Sequence, residues 1–126
     1  MGDMTKNFSR KEFACKHLCG QDHIDEGLVT LLQEVRDNYG KSMRITSGVR
    51  CPDHNKAIGG VKGSAHERGL AVDIECLSSR DRYALLPLLW SRFDRIGIGA
   101  TFIHVDIDES KPQDVLWEYS KHAHMA

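Results

Sequence analysis

The sequence has no run of the ~18 apolar residues that a membrane-spanning helix needs, which excludes such a span within it. Its opening stretch, MGDMTKNFSRKEF, also has no apolar core of the kind a signal peptide carries. We therefore expect a protein made in the cytoplasm, whose delivery to any target beyond the membrane depends on something else. Neither sign of charge is in excess, with 17 basic against 18 acidic side chains, so no bulk field recruits nucleic acid or an anionic membrane surface. Internal repeats and low-complexity segments are absent. Without an export signal, the four cysteines, Cys15, Cys19, Cys51 and Cys76, are expected to be reduced thiols and not two bridges.

What is present is enough apolar material for one core. At 126 residues and 40% hydrophobic content, residues 1–126 suit a single domain, with 120–126 (SKHAHMA) read as a flexible tail. Ser9 and Glu12 stand at capping-box spacing, so a short helical turn is predicted there. Leu28, Leu31, Leu32, Val35 and Tyr39 recur at helical spacing and Gly40 follows as a stop, which predicts an amphipathic helix over 26–39. MRITSG reads as a short strand, CPDHNKAIGG as a brief helix opening on Pro52, and GLAVDIEC as a second strand. Residues 79–93 have a helical pattern interrupted by Pro87, which is expected to kink or split the helix. RIGIGATFIHVDID reads as two strands joined around Gly99 and Ala100. Helices interleaved with at least three strands predict a small α+β domain, with helices packed on one side of an antiparallel sheet.

Strand alternation then places the polar side chains. Along GLAVDIE, Leu70, Val72 and Ile74 point one way, and Ala71, Asp73 and Glu75 the other. In FIHVDID, Phe102, His104 and Asp106 share a face whose reverse is aliphatic. If the two strands are neighbours, Asp73 and His104 meet with Cβ atoms on the order of 5 Å apart, and His66, on the loop feeding the first strand, folds over them. Two imidazoles and a carboxylate form a catalytic zinc set, three protein ligands with the fourth position left to water. The same residue types also suit a hydrogen-bonded pair without metal. Burying Asp73, His104 and Asp106 without a cation or hydrogen-bond partners would be costly, which favours the metal.

SAHERGLAVDI, with its Ser-x-His-x-x-Gly-x-Ala-x-Asp pattern, followed some thirty residues later by FIHVD, resembles the zinc D-alanyl-D-alanine peptidase family. That family includes bacterial carboxypeptidases and phage endolysins, and its fold is shared by the hedgehog signalling domain. The resemblance runs from NFSRKEFAC through HVDID, and the compact form looks most like phage or prophage peptidases. It implies zinc held by His66, Asp73 and His104, and hydrolysis of a peptide bond in the peptidoglycan stem. It also implies that Arg50, in TSGVR, grips a substrate carboxylate, a task suited to a planar charged fork, and that Ser64 lines the same pocket. Relatives carry a catalytic acid two or three residues before the last histidine; here those positions are Phe102 and Thr101. Asp106 is the substitute we expect for general base, with a role as the acceptor that orients His104 as the alternative. Lysis-associated release, or carriage in a virion, is the expected route to the wall. The rival expectation is a non-catalytic, zinc-stabilised module of the same fold that binds cell wall or protein.

Other polar groups have weaker claims. Cys15, His17, Cys19 and His23 crowd into nine residues and offer thiolates and imidazoles to a second metal, against simple packing of reduced cysteines. His54 and Asn55 either face the cleft or lie on an exposed helix surface. Trp90 and Phe93 read as core, and Trp117 and Tyr119 as packed down or flanking a groove. Glu67, Arg68, His122 and His124 read as solvated.

Overall fold

The computed structural model describes residues 2–16 and 19–119; the expectations for His17 and for residues 120–126 fall outside them. Its elements are a 3-10 turn (Arg10–Phe13), α1 (Glu26–Tyr39), β1 (Ile45–Ser47), α2 (Pro52–Ala57), a second 3-10 turn (Ala65–Arg68), β2 (Ala71–Glu75), α3 (Ser79–Trp90), β3 (Arg95–Ile98), β4 (Phe102–Asp106) and β5 (Val115–Glu118).

Local signals explain most of these limits. The Glu12 carboxylate accepts from the Ser9 backbone N–H at 2.7 Å, as the capping-box spacing predicts. The Asp25 carboxylate accepts from the Leu28 N–H at 3.0 Å and starts α1, and Gly40 ends it in the left-handed region. In α3 the Ser78 hydroxyl accepts from the Asp81 N–H at 3.0 Å. Of the two expected effects of Pro87, a kink or a split, the split does not occur: α3 continues past it to Trp90. Pro87 and Tyr83, whose carbonyl loses its helical donor, both lie on the solvent side, where water replaces the missing N–H. Trp90 is likewise not core. Leu85 and Leu89 are the residues that α3 turns inward, so Trp90 is rotated out and left 60% exposed, while Phe93 beyond the helix is buried.

The five strands form one sheet in the order β1-β2-β4-β3-β5. Every neighbouring pair is antiparallel except β3 and β5, which run parallel. One face is aliphatic: Val72, Ile74, Ile96, Ile103 and Val105 are buried against Leu28, Leu32 and Val35 of α1 and Leu85 and Leu89 of α3. Burying side chains of this size contributes roughly 1.5–3 kcal/mol each, which pins the register of every strand carrying them. The opposite face is thereby committed to the alternate residues, among them Asp73, His104 and Asp106. The architecture is the predicted α+β class, extended by the fifth strand, which the sequence did not announce.

Candidate metal centre

β2 and β4 pair so that Asp73 stands directly opposite His104. His66 reaches the same point from the turn before β2. The Ser64 hydroxyl accepts from the His66 N–H at 3.2 Å, and the Arg50 N–H donates to the His66 carbonyl at 3.0 Å, so both ends of the residue are fixed. Gly69 then closes the turn at φ 71, where a Cβ would lie 2.1 Å from the His23 carbonyl oxygen. Only glycine meets both conditions, which accounts for its place in the Ser-x-His-x-x-Gly pattern.

Three atoms converge. His66 Nε2 and His104 Nδ1 lie 3.2 Å apart, His66 Nε2 and Asp73 Oδ1 3.2 Å, and His104 Nδ1 and Asp73 Oδ1 3.0 Å. The outer nitrogens decide what these atoms carry. His66 Nδ1 faces the Gly48 carbonyl at 2.8 Å, so it holds the hydrogen and leaves Nε2 a lone pair. His104 Nε2 donates to Asp106 Oδ2 at 2.7 Å, which leaves Nδ1 a lone pair as well. Two lone pairs and an anionic oxygen this close repel one another unless a cation lies among them. A proton satisfies one pair at a time; a divalent ion satisfies all three. Tetrahedral ligands at about 2.0–2.1 Å from zinc stand about 3.3–3.4 Å from each other, within a few tenths of the observed triangle.

The carboxylates of this cluster are supported from behind. Asp73 Oδ2 accepts from Arg50 Nη2 at 3.0 Å. Arg50 is fully buried and also donates to Ser47 Oγ and to Asn55 Oδ1, each at 2.9 Å. Asp106 Oδ1 accepts from Arg95 Nε at 2.7 Å and from the Asp108 N–H at 3.1 Å. Trp117 and Tyr119 stand beside His104, with ring centroids 5.5 and 6.3 Å away, and the Arg95 guanidinium lies over the Trp117 ring.

Burial and charge act in opposition here. Burial pulls His66 below the usual imidazole pKa, so it is neutral and ready to ligate. It would raise the pKa of Asp73, but the two imidazoles outweigh it and hold that carboxylate below its usual range. His104 is the reverse case: burial disfavours its charge, yet its hydrogen bonds to Asp106 and Asp73 raise its pKa. For Asp106 too, burial is outweighed, chiefly by the bond from His104, and its pKa is lowered. Of the two imidazoles, His104 is thus the one that keeps a proton to the higher pH.

The predicted residues are distributed as follows. His66, Asp73 and His104 come together. Ser64 and Arg50 are buried beside them, engaged with the His66 backbone and with Asp73 respectively. Asp106 lies on the far side of the His104 ring from the triangle. Asn55 is buried, where its amide bridges Arg50, Glu67 and the Val61 carbonyl. Glu67 and Arg68 are therefore not simply solvated: the first accepts from Asn55, and the second donates to the buried Asp108 carboxylate. Cys15 and Cys19 do meet, but Cys51 joins them instead of His23, whose ring faces the Glu67 carbonyl. The sequence reading missed Arg95 altogether; an arginine on the preceding strand, 11 residues from Asp106, has no local signature.

Two imidazoles and a carboxylate in a triangle, oriented by a carbonyl and a second carboxylate, form a group that could hold one metal ion. The chain belongs to the Peptidase M15 family of zinc D-Ala-D-Ala peptidases, whose model matches residues 6–108, from the approach to the first 3-10 turn to just past β4. Membership makes it a metallopeptidase. Among curated proteins no match is found.

Proposed function

We propose that this protein is a zinc-dependent peptidase that hydrolyses peptide bonds in bacterial peptidoglycan stem peptides. The observation that carries this reading is the triangle of His66 Nε2, Asp73 Oδ1 and His104 Nδ1, with its lone pairs turned inward by Gly48 and Asp106. Bound zinc would acidify its water and polarise the scissile carbonyl.

The protein's own groups set the terms of that chemistry. Neutral His66 and His104 with anionic Asp73 contribute only one negative charge, so a divalent ion keeps a net positive charge. Arg50 draws electron density from Asp73 through Oδ2, which weakens donation from Oδ1 and increases that positive character. We assign Arg50 and Ser64 to positioning: Arg50 holds the carboxylate ligand and Ser64 caps the turn that presents His66. Asp106 is assigned the orienting role, not that of the base, because both its oxygens are committed and it lies behind the His104 ring. Trp117 and Tyr119 supply an aromatic wall next to His104 for the substrate chain to pack on.

The test is digestion of purified peptidoglycan and defined muropeptides, with products read by mass. Zinc-loaded protein should release stem-peptide fragments, chelated protein none, and His104→Ala none even with zinc added. Thr101 and Phe102 leave the acid position of relatives unfilled, and this is the one feature that favours a non-catalytic zinc module. Zinc-loaded, folded protein that binds the wall but releases nothing would establish that second reading and defeat the first.

A further inference from the structure

Cys15, Cys19 and Cys51 bring their sulfur atoms to within 4.8 Å of one another, and the proposed peptidase chemistry uses none of them. Two of the three come from one loop. The Cys15 N–H donates to the Gln21 carbonyl at 2.8 Å, which closes that loop and returns Cys19 towards Cys15. The third arrives from far along the chain, as the residue that precedes α2 and follows Arg50. Two backbone N–H groups are already aimed at the sulfurs: that of Cys51 at Cys15 Sγ and that of His54 at Cys51 Sγ, each at 3.4 Å. Backbone N–H groups so placed can go on donating to the sulfurs when these ligate a metal.

Packing alone does not require three sulfurs at one point, and a disulfide joins two and leaves the third over. Thiolates around a tetrahedral zinc at about 2.3 Å stand about 3.8 Å from each other, inside the 4.8 Å within which the three sulfurs already lie. Cys15 and Cys51 are buried while Cys19 is exposed, so an ion reaches the group from solvent through the Cys19 side. Sulfur donors select a soft or borderline ion over magnesium or calcium.

We propose that Cys15, Cys19 and Cys51 form a second metal site for a zinc-class divalent ion, structural in role. It clips the N-terminal loop to the start of α2. Because Arg50 is the residue before Cys51, the clip also steadies the guanidinium that holds Asp73. The site stands independently of the peptidase reading, since its ligands are different side chains with different chemistry.

Cobalt(II) separates the two sites, because only thiolate ligands give an intense sulfur-to-metal charge-transfer absorption in the near ultraviolet. Reduced wild type should bind two equivalents of cobalt and show that absorption. Cys51→Ser should lose one equivalent together with the band, whereas His104→Ala should lose one equivalent and keep it. One equivalent with no thiolate absorption in the wild type overturns the proposal and leaves the peptidase centre untouched. Should Cys51→Ser fail to fold, alkylation of the wild type decides: metal should protect Cys19 from the reagent. Equal labelling of Cys19 with and without metal, or a Cys15–Cys51 disulfide in protein handled under reductant, overturns it equally.

Discussion

His104 is held from both sides of its ring, by Asp106 at Nε2 and by Asp73 and His66 around Nδ1. Asp106→Ala removes the acceptor that fixes which nitrogen carries the hydrogen, and it also deprives Arg95 Nε of its carboxylate partner. Zinc affinity is expected to fall about 10–100-fold, and Asp106→Asn, which keeps an oxygen for His104, should recover part of the loss. Competition against a chromophoric chelator measures both, and an unaltered affinity in the alanine variant would defeat the orienting assignment. The convergence of His66, Asp73 and His104 was readable from strand alternation and from the Ser-x-His-x-x-Gly-x-Ala-x-Asp pattern, because each is placed by residues within a few positions of it. The surroundings of Arg50 were not. Its burial depends on Ser47, Asn55 and Asp73, which meet only after the strands pair and α2 folds back.

β5 is the element that local reasoning overlooked. Its four residues alternate between half-buried and exposed, and Ile107 through Asp114 separate it from β4 without a tight turn signal. What holds it is parallel pairing to β3 and a space that the β3 backbone leaves open. A Cβ on Gly97 would come within 2.5 Å of the Trp117 indole nitrogen and 2.7 Å of the Tyr119 ring. Gly97→Val should push β5 and its aromatic pair off the sheet at a cost of about 1–3 kcal/mol, seen as a lower midpoint in urea unfolding of the metal-loaded protein. An unchanged midpoint would show that the aromatic wall is not anchored there. α1, by contrast, was legible to its last residue, since its cap, its apolar stripe and its glycine stop all lie inside one short window. Trp90 misled for a related reason: helical spacing identifies a stripe, but which stripe faces the sheet is set by Leu85 and Leu89 against the strands.

For the molecule as a whole, metal binding and pH are linked through the proton that His104 carries in the metal-free protein. Its carboxylate partners raise its pKa above the ordinary imidazole value, so below that raised pKa an incoming ion has to displace a proton. Apparent zinc affinity should therefore rise with pH, at close to one proton released per ion, and flatten once His104 is deprotonated. His66 adds no comparable slope near neutrality, since its pKa is lowered and it is already neutral there. Calorimetry in buffers of different ionisation enthalpy, over roughly pH 5.5 to 7.5, counts the proton. Binding that releases none across that range would refute the coupling.

Chain-local information settled the α+β class, the limits of α1 and the face on which Asp73 and His104 lie, because capping, helical period and strand alternation each act over a few residues. It also carried the motif that marks His66, Asp73 and His104. Long-range assembly alone determined that Arg50 faces Asp73, that Asp106 stands behind His104, that β5 adds Trp117 and Tyr119, and that Cys51 joins Cys15 and Cys19. Those contacts join residues distant in the chain or oriented by packing, and burial of the shared aliphatic face is the force that brings them to one place.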